Sequence, residues 1–411
     1  MFDVCVVGLG HIGLPTAALL ARAGVRVAGV DISPTVLAAL KRGEVLIPEP
    51  GLTQLVADVV HDGSLVAHDA VQPASTFLIT VPTPIREDHS CDLGSVIAAA
   101  EAVAAVVTAG ALVILESTVP PGTTASSFAQ VFERRGLIPG VNIHIAFCPE
   151  RALPGSTLRE IATNARLVGG LTPSCTEAAT AFYAMFVSGP LHPTTATMAE
   201  TAKLFENTYR DVNIALANQF ASLCSSIGIP ARETIALANH HPRVQVHNPG
   251  IGVGGHCIPV DPYFLLGSEG IASLVAQARA VNNAVPAAVA RDIEAEAIRL
   301  GARTVAILGL TYKEDTADVR DSPAVAVARA LAGCSDLDIA TFDPYVALDG
   351  LNPSESLAAA VGDAHLTVVL VAHAAFIAAL PELLDDSANV VDYTGKVPLE
   401  SAKVPLGRLP S

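Results

Sequence analysis

The first forty residues alternate between short apolar runs and helical segments. Residues 4–7 are an apolar run of strand length, residues 8–13 are rich in glycine, and residues 14–23 have the composition of a helix. A second apolar run at 25–30 follows and ends at Asp31. Strand, glycine-rich turn, helix and strand in this order predict a β-α-β unit with parallel strands.

The same alternation recurs towards both ends of the chain, and a long helix separates the two stretches. Further apolar runs of strand length lie at 76–81, 111–116, 143–147, 304–310, 337–342, 366–371 and 390–391. Residues 195–226 contain neither proline nor glycine and predict one long helix. We therefore predict an α/β protein with two Rossmann-like doubly wound domains, joined by a long central helix and a helical dimerisation region. The predicted domain limits are 1–190, 191–298 and 299–411.

Composition and charge exclude several classes of function. The chain of 411 residues is long enough for two or three domains, and its net charge of −16 argues against a nucleic-acid surface or an anionic membrane face. No uncharged apolar stretch reaches the roughly 18–20 residues of a membrane span, and the N-terminus does not resemble a signal peptide. The seven cysteines are scattered and lack the paired spacing of a zinc site or a disulfide framework. We expect a cytoplasmic protein without a bound metal.

The first candidate site is Gly8-x-Gly10-x-x-Gly13 with Asp31. In a Rossmann fold the first glycine permits a tight turn, the second lets a pyrophosphate approach the backbone, and the third lets helix pack on strand. A carboxylate at the end of the second strand accepts from the ribose 2′-OH and repels a 2′-phosphate, which favours NAD over NADP. The alternative is a tight turn that binds no ligand.

The second candidate is a glycine-rich loop at 248–262, with four glycines within six residues and Cys257 close behind them. His256 and Asp261 flank this cysteine. A partly exposed thiol near cationic groups is a better nucleophile than a buried one. The alternative is a flexible connector with an incidental cysteine.

Two further sets of polar residues are candidates for ligand binding. Lys203, Asn207 and Arg210 fall on one face of the predicted long helix, where Lys203 is suited to stabilising an oxyanion or a phosphate. Lys313 and Arg320 lie in a loop after a predicted parallel strand, and two cations there would suit a nucleotide diphosphate. A solvated helix face and an exposed loop are the alternatives.

Two more segments directly follow predicted strands of the first domain, at 116–122 and 147–151. Residues at such positions face the nicotinamide end of a Rossmann cleft. Cys148 is a rival nucleophile, but its place at a strand-to-proline junction favours a structural role.

Taken in order, these segments resemble the UDP-glucose/GDP-mannose dehydrogenase family over nearly the whole chain. The resemblance also includes Val-Pro-Thr-Pro at 81–84 and Gly-Leu-Thr-Tyr-Lys at 309–313. It implies an NAD-binding domain at 1–190, a central helical domain that forms a homodimer at 191–298, and a UDP-sugar-binding domain at 299–411. It also implies two hydride transfers to NAD, with a covalent intermediate on cysteine.

The resemblance assigns roles to individual residues. The implied catalytic residues are Cys257, Lys203, Asn207, Asp261, Thr118 and Glu150. The implied NAD-binding residues are Gly8, Gly10, His11, Ile12, Gly13, Asp31, Val81, Pro82, Thr83, Thr118 and Arg320. The implied substrate-binding residues are Glu150, Arg151, Lys203, Asn207, Arg210, Arg243, Gly254, His256, Tyr312 and Lys313.

The residues around Cys257 also indicate a substrate. His256 before the cysteine and Ile-Pro-Val-Asp-Pro-Tyr after it resemble the branch acting on 2-acetamido sugars, and residues 237–244 favour UDP-N-acetyl-D-mannosamine. The alternatives are UDP-N-acetylglucosamine or UDP-glucose with the same chemistry, a single-hydride 3-hydroxyacid dehydrogenase that needs no cysteine, and a dinucleotide-binding protein without activity.

Overall fold

The computed structural model describes residues 2–266, 273–333, 336–384, 387–399 and 402–403. The end of the predicted C-terminal domain, at 404–411, lies outside these residues. The chain divides into two compact units, which are described separately. Unit 1 comprises Met1–Phe205 with Tyr263–Ser268, and unit 2 comprises Glu206–Pro262 with Glu269–Ser411.

Unit 1 contains, among its described residues, an eight-stranded sheet in the order β3-β2-β1-β4-β5-β6-β7-β8. Its strands are β1 (Phe2–Val7), β2 (Val27–Val30), β3 (Leu65–His68), β4 (Ala74–Ile79), β5 (Leu112–Leu115), β6 (His144–Phe147), β7 (Arg166–Gly170) and β8 (Leu191–Thr195). Its helices are α1 (Gly13–Arg22), α2 (Pro34–Lys41), α3 (Leu52–His61), α4 (Gly94–Val106), α5 (Ala129–Glu133), α6 (Thr157–Thr163) and α7 (Pro173–Tyr183).

The six strands from β1 to β6 are parallel, as predicted, but the sheet does not stay parallel. β7 pairs with β6 in the antiparallel direction, with Phe147 opposite Gly169, and β8 runs parallel to β7. The apolar pattern did not indicate this reversal, because β7 begins with an arginine and ends with two glycines. The prediction of a doubly wound first domain is confirmed for β1 to β6, and it did not include the reversed strand at this edge.

Alternate residues of the central strands enter two separate apolar cores. In β1, Val4 and Val6 pack with α1 and α3 on one face, whereas Cys5 and Val7 pack with α4 on the other. Each fully buried aliphatic side chain contributes about 1.5–3 kcal/mol. The two cores explain why these strands read as continuous apolar runs, because both of their faces are covered by helices.

The long helix is α8 (Ala196–Ile227), in close agreement with the predicted 195–226. The elements after it are α9 (Ala231–Ala238), α10 (Asp261–Leu266), α11 (Leu274–Leu300), β9 (Thr304–Leu308), α12 (Pro323–Ala332), β10 (Asp338–Phe342), α13 (Leu357–Gly362), β11 (Leu366–Val369), α14 (Ala374–Leu383), β12 (Val390–Asp392) and β13 (Ala402–Lys403).

Unit 2 contains a parallel sheet in the order β10-β9-β11-β12-β13 within the part of the chain that is described. As in unit 1, alternate residues of the central strand β9 enter different apolar clusters, with Val305 and Ile307 on one side and Ala306 and Leu308 on the other. The predicted α/β class with two doubly wound sheets is confirmed. None of the described helices is both long and apolar enough to cross a membrane.

Candidate functional site

The three glycines after β1 occupy three different environments. Gly8 has φ +93°, a backbone conformation that favours glycine, and a Cβ there would lie 2.9 Å from the Thr80 carbonyl oxygen. A Cβ on Gly13 would lie 1.9 Å from the Gly8 carbonyl oxygen, because α1 begins against the turn. A Cβ on Gly10 would meet nothing within 4 Å. Gly10 therefore leaves the backbone open to a ligand, while its neighbours shape the turn and the packing.

Asp31, at the end of β2, closes this turn from the second strand. Its carboxylate accepts from the Leu9 amide at 2.8 Å and from the Ser33 amide at 2.8 Å. No acidic residue lies in the first turn of α1, whose N-terminus carries partial positive charge. His11 is exposed and Ile12 half-buried beside it. These residues fit NAD, for which the helix N-terminus would hold the pyrophosphate and Asp31 the ribose hydroxyls.

The loops after β4 and β5 are joined at the same edge of the sheet. The Ser117 hydroxyl donates to the Val81 carbonyl at 2.7 Å. Thr118 follows Ser117 and is half-buried, and Pro82 and Thr83 follow Val81. The structure thus brings together the predicted cofactor residues of these two loops.

A buried charge cluster lies at this edge, and its central residue, Arg166, was not predicted. The Arg166 guanidinium bonds to Glu150 and lies 3.3 Å from the Glu116 carboxylate, and it stacks over the Tyr183 ring at 4.6 Å. Arg166 is 4% exposed. It is the first residue of β7, and the reversal of that strand places it beside the carboxyl ends of β5 and β6.

The cluster uses both oxygens of Glu150. One accepts from Arg166, and the other accepts from the Arg151 and Ala152 amides at 2.6 and 2.8 Å. The Arg151 guanidinium donates to the Ala165 carbonyl at 3.0 Å. Glu150 therefore holds its own loop in place with both of its carboxylate oxygens.

Glu116 has fewer hydrogen-bond partners than Glu150. Its Oε1 accepts from the Tyr183 hydroxyl at 2.5 Å, whereas its buried Oε2 has no hydrogen-bond partner. Burial raises the pKa of Glu116 to about 7; the Arg166 guanidinium opposes this rise and the Glu150 carboxylate adds to it. Burial also raises the pKa of the Cys148 thiol to about 12, which argues against Cys148 as a nucleophile.

Lys203 lies one turn after a second buried carboxylate, that of Glu200 in α8. Glu200 accepts from the Gly122 and Thr124 amides at 2.6 and 2.8 Å and from the Thr124 hydroxyl at 2.6 Å. Burial raises the pKa of Glu200. These bonds fix the start of α8 to the segment that follows Thr118. Glu200 was not predicted, and its position before Lys203 on the helix was the only available signal.

In unit 2 the glycine-rich loop packs tightly on the segment after β9. A Cβ on Gly254 would lie 2.7 Å from the Asp321 carbonyl oxygen and 2.9 Å from Tyr312, and one on Gly255 would lie 2.9 Å from the Tyr312 ring. The Gly255 amide donates to the Arg320 carbonyl at 3.1 Å. Only glycine allows this approach, so the loop and the 312–321 segment form one surface.

Cys257 is exposed at the end of this loop, as a nucleophile must be. Its carbonyl accepts from the Asp261 amide at 2.8 Å. The Asp261 carboxylate in turn accepts from the Asn207 side-chain amide at 2.6 Å, and both side chains are buried. The structure thus joins three of the predicted catalytic residues through α8, the loop and the start of α10.

Other predicted residues of unit 2 lie in more open environments. His256, Lys313, Arg210 and Arg243 are exposed, so Arg210 does not share the buried environment of Asn207 on the same helix. The Arg320 guanidinium is paired with Asp318, with Nη2 at 2.5 Å from the carboxylate.

The described residues contain no group of histidine, cysteine and acidic side chains that could hold a metal ion.

Comparison with known proteins agrees with the geometry of both units. The chain matches three successive models of the UDP-glucose/GDP-mannose dehydrogenase family: the NAD binding domain over residues 2–187, the central domain over 197–284 and the UDP binding domain over 306–396. The match to the NAD binding domain confirms NAD as the cofactor.

Individual relatives cover nearly the full chain. A UDP-N-acetyl-D-mannosamine dehydrogenase of Yersinia pestis is 41% identical and covers 92% of this chain and 95% of its own. An NDP-N-acetyl-D-galactosaminuronic acid dehydrogenase of Ralstonia solanacearum is also 41% identical and covers 91% of each. The native structure of the UDP-N-acetyl-mannosamine dehydrogenase Cap5O from Staphylococcus aureus is 38% identical, with a TM-score of 0.89 over 98% of this chain and 97% of that one. The chain therefore belongs to the UDP-glucose/GDP-mannose dehydrogenase family.

Proposed function

We propose that the chain oxidises UDP-N-acetyl-D-mannosamine to the corresponding uronate, with Cys257 as the covalent nucleophile. The observation that carries the proposal is the exposed Cys257 on a loop fixed by Asp261 and Asn207. Unit 1 fits NAD, which would be the oxidant. Overall, the sugar alcohol, water and two NAD+ give the carboxylate, two NADH and protons.

The proposed reaction proceeds through a covalent intermediate on the Cys257 sulfur. NAD held by the glycine turn and Asp31 of unit 1 would supply the oxidant for two hydride transfers, one from the sugar alcohol and one from the covalent intermediate. Between these steps the Cys257 Sγ attacks the aldehyde carbon, and the carbonyl oxygen takes up a proton to give a thiohemiacetal. Loss of its carbon-bound hydride and of its hydroxyl proton leaves a thioester, and water then displaces the thiol and releases the acid.

The polar residues stabilise charge and deliver water. Lys203 is a cation on α8 suited to the oxyanion that develops on the substrate oxygen, and Asn207 can add a donor. Asp261 is placed to orient the water that attacks the thioester, because its carboxylate is held by Asn207. In this proposal Thr118 belongs to the cofactor loop after β5, and Glu150 shapes its own loop after β6.

The nucleotide is proposed to bind on unit 2, where Tyr312 and Lys313 adjoin the Cys257 loop. Arg243 and Arg210 are exposed cations available to a diphosphate. Arg320, which is paired with Asp318, stays assigned to the cofactor. The sequence around Cys257 favours a 2-acetamido sugar, and residues 237–244 favour the mannosamine form. The galactosaminuronic acid relative, at an identity equal to that of the Yersinia pestis enzyme, makes UDP-N-acetylgalactosamine the specific second candidate.

NADH released per sugar nucleotide consumed tests the whole proposal. The purified protein receives excess NAD and limiting amounts of UDP-N-acetylmannosamine, UDP-N-acetylgalactosamine, UDP-N-acetylglucosamine or UDP-glucose. Two NADH per molecule from the first substrate alone is the expected result. Two NADH from another sugar keeps the chemistry and replaces the substrate, and one NADH from any of them contradicts the cysteine mechanism.

Substituting cysteines separates this chemistry from a single hydride transfer. Cys257→Ala is expected to lose the second NADH per substrate and to release no uronate, because no thioester can form. Cys148→Ala is the matched control, because that thiol is fully buried with a raised pKa. A Cys257→Ala enzyme that keeps its turnover would favour a single-hydride 3-hydroxyacid dehydrogenase.

We also propose a homodimer through α8. Its unit 2 part carries an exposed apolar stripe with helical spacing, formed by Tyr209, Leu216, Phe220, Leu223 and Ile227, which are 38–62% exposed. Successive members are seven, four, three and four residues apart, so they lie on one face of the helix. A second copy of this helix fits that face, because self-complementary stripes of this kind pack in symmetric dimers.

A further inference from the structure

The second sheet repeats the backbone arrangement that holds Asp31 in the first. Asp343 follows β10 as Asp31 follows β2, and it accepts from the Leu310 amide at 2.7 Å and the Tyr345 amide at 2.9 Å. Gly309 has φ +88°, close to the +93° of Gly8. Both units therefore present a carboxylate at the position where a Rossmann domain receives a ribose.

In unit 2 this position is filled from within the chain by His373. His373 is fully buried, and its Nε2 lies 3.0 Å from the Asp343 carboxylate. Its Nδ1 accepts from the Asp315 amide at 2.9 Å, so the proton of the neutral ring resides on Nε2 and is donated to Asp343. Asp343 is thus already paired and is not available to a ribose hydroxyl.

The other side of His373 holds the loop after β9. Asp315 has φ +53°, which is unusual for a residue with a side chain, and its amide is tied to His373. The Asp315 carboxylate accepts from the Ala374 amide at 3.0 Å at the start of α14. The Thr311 hydroxyl lies 3.2 Å from His373 Nε2 and donates to the Lys313 carbonyl at 2.8 Å.

We propose that His373 is a positioning residue for the 311–315 loop. By bridging Asp343 and the Asp315 amide it keeps Tyr312 and Lys313 in the conformation that binds the nucleotide diphosphate of the substrate. The inference rests on the proposed function, since that function assigns the nucleotide to these two residues. Without His373 a smaller fraction of molecules holds the loop correctly, and the apparent affinity falls by that fraction.

Two substitutions of His373 each keep one of its hydrogen bonds to Asp343 and the Asp315 amide and remove the other. In His373→Asn the side-chain oxygen can take the place of Nδ1 and accept from the Asp315 amide. In His373→Gln the side-chain nitrogen can take the place of Nε2 and donate to Asp343, but the Asp315 amide loses its acceptor. His365→Gln is the control, because His365 is exposed and precedes β11 at the opposite edge of the same sheet.

Calorimetric titration with UDP and steady-state kinetics read out the effect. We expect His373→Gln to weaken UDP binding by about tenfold or more, the scale of one buried unpaired donor, and to raise the KM for the UDP-sugar with little change in the KM for NAD. His373→Asn should stay within about threefold of the wild type, although both variants lose one buried contact and melt at similarly lowered temperatures.

Equal affinity for UDP in all variants would overturn the inference while leaving the proposed function intact. So would a loss of affinity that simply follows the loss of melting temperature in both His373 variants, since that result indicates a structural role alone. A wild-type protein that does not bind UDP would instead overturn the proposed function on which the inference rests.

Discussion

The contrast between Gly10 and Gly13 provides the sharpest prediction. A methyl group on Gly13 would stand 1.9 Å from the Gly8 carbonyl oxygen and 2.4 Å from the Thr80 hydroxyl. The first distance is about 1.5 Å inside ordinary non-bonded contact, and the atom it meets belongs to the backbone. We expect Gly13→Ala to lower the free energy of unfolding by at least about 3 kcal/mol.

Gly10→Ala should behave differently, because the added methyl group meets no protein atom within 4 Å and Gly10 has no positive φ. The expected change in stability is within about 1 kcal/mol, and the reduced freedom of the unfolded chain favours a small gain. The methyl group would instead occupy the space that the pyrophosphate needs. We expect NADH affinity to fall at least tenfold, or about 1.4 kcal/mol.

Scanning calorimetry and isothermal titration with NADH measure the two effects independently. At about 2–4 °C per kcal/mol for a unit of this size, Gly13→Ala should lower the melting temperature of the first unit by about 6–12 °C. Gly362→Ala, in the second unit and equally free of contacts, is the control for a generic glycine-to-alanine change. Wild-type NADH affinity in Gly10→Ala, or a melting loss equal to that of Gly13→Ala, would refute the reasoning.

Three further predictions follow from the buried groups and the exposed helix face. The raised pKa of Glu116 lets the folded state keep a proton that the unfolded chain releases above pH 4.5, so the free energy of unfolding should fall by up to about 3 kcal/mol as pH rises from about 4.5 to 7. Urea unfolding of Glu116→Gln should lack this decline, and an equal decline in the variant and the wild type would disprove the prediction. Asn207→Ala removes one hydrogen-bond donor from the buried Asp261 carboxylate and should cost about 1–3 kcal/mol in denaturant unfolding. Additivity with Asp261→Ala would show that the two side chains are not coupled. Leu223→Arg should shift the mass measured by light scattering from dimer to monomer with the fold retained, and an unchanged mass would argue against the α8 interface.

The parts of the site that depend on local spacing could be predicted from the sequence. Gly8, Gly10 and Gly13 follow a strand at fixed intervals, and their separate steric roles are visible in the structure. The hydrogen bond between Asn207 and Asp261 joins residues that are 54 positions apart in the sequence, and both residues were expected from the family resemblance. Their direct hydrogen bond could not be read from spacing.

Arg166 could not be predicted in the same way. Parallel sheets bind ligands at residues that follow the ends of strands, whereas Arg166 is the first residue of a strand. It reaches the carboxylates of Glu116 and Glu150 only because β7 runs against β6. In the sequence, the available signal was an arginine at the first position of an apolar run. A buried arginine predicts a charged partner, but it does not identify that partner.

The glycine-rich loop that carries Cys257 has a consequence for hydrogen exchange. Glycine-rich loops are commonly expected to exchange their amide protons rapidly. Here the Gly250 amide is bonded to the Asn218 side chain, the Gly255 amide to the Arg320 carbonyl, and Gly252 lies against Pro286 and Pro323. These amides should therefore exchange with the slow cooperative opening of the surrounding unit, and the loop is as rigid as the elements it touches.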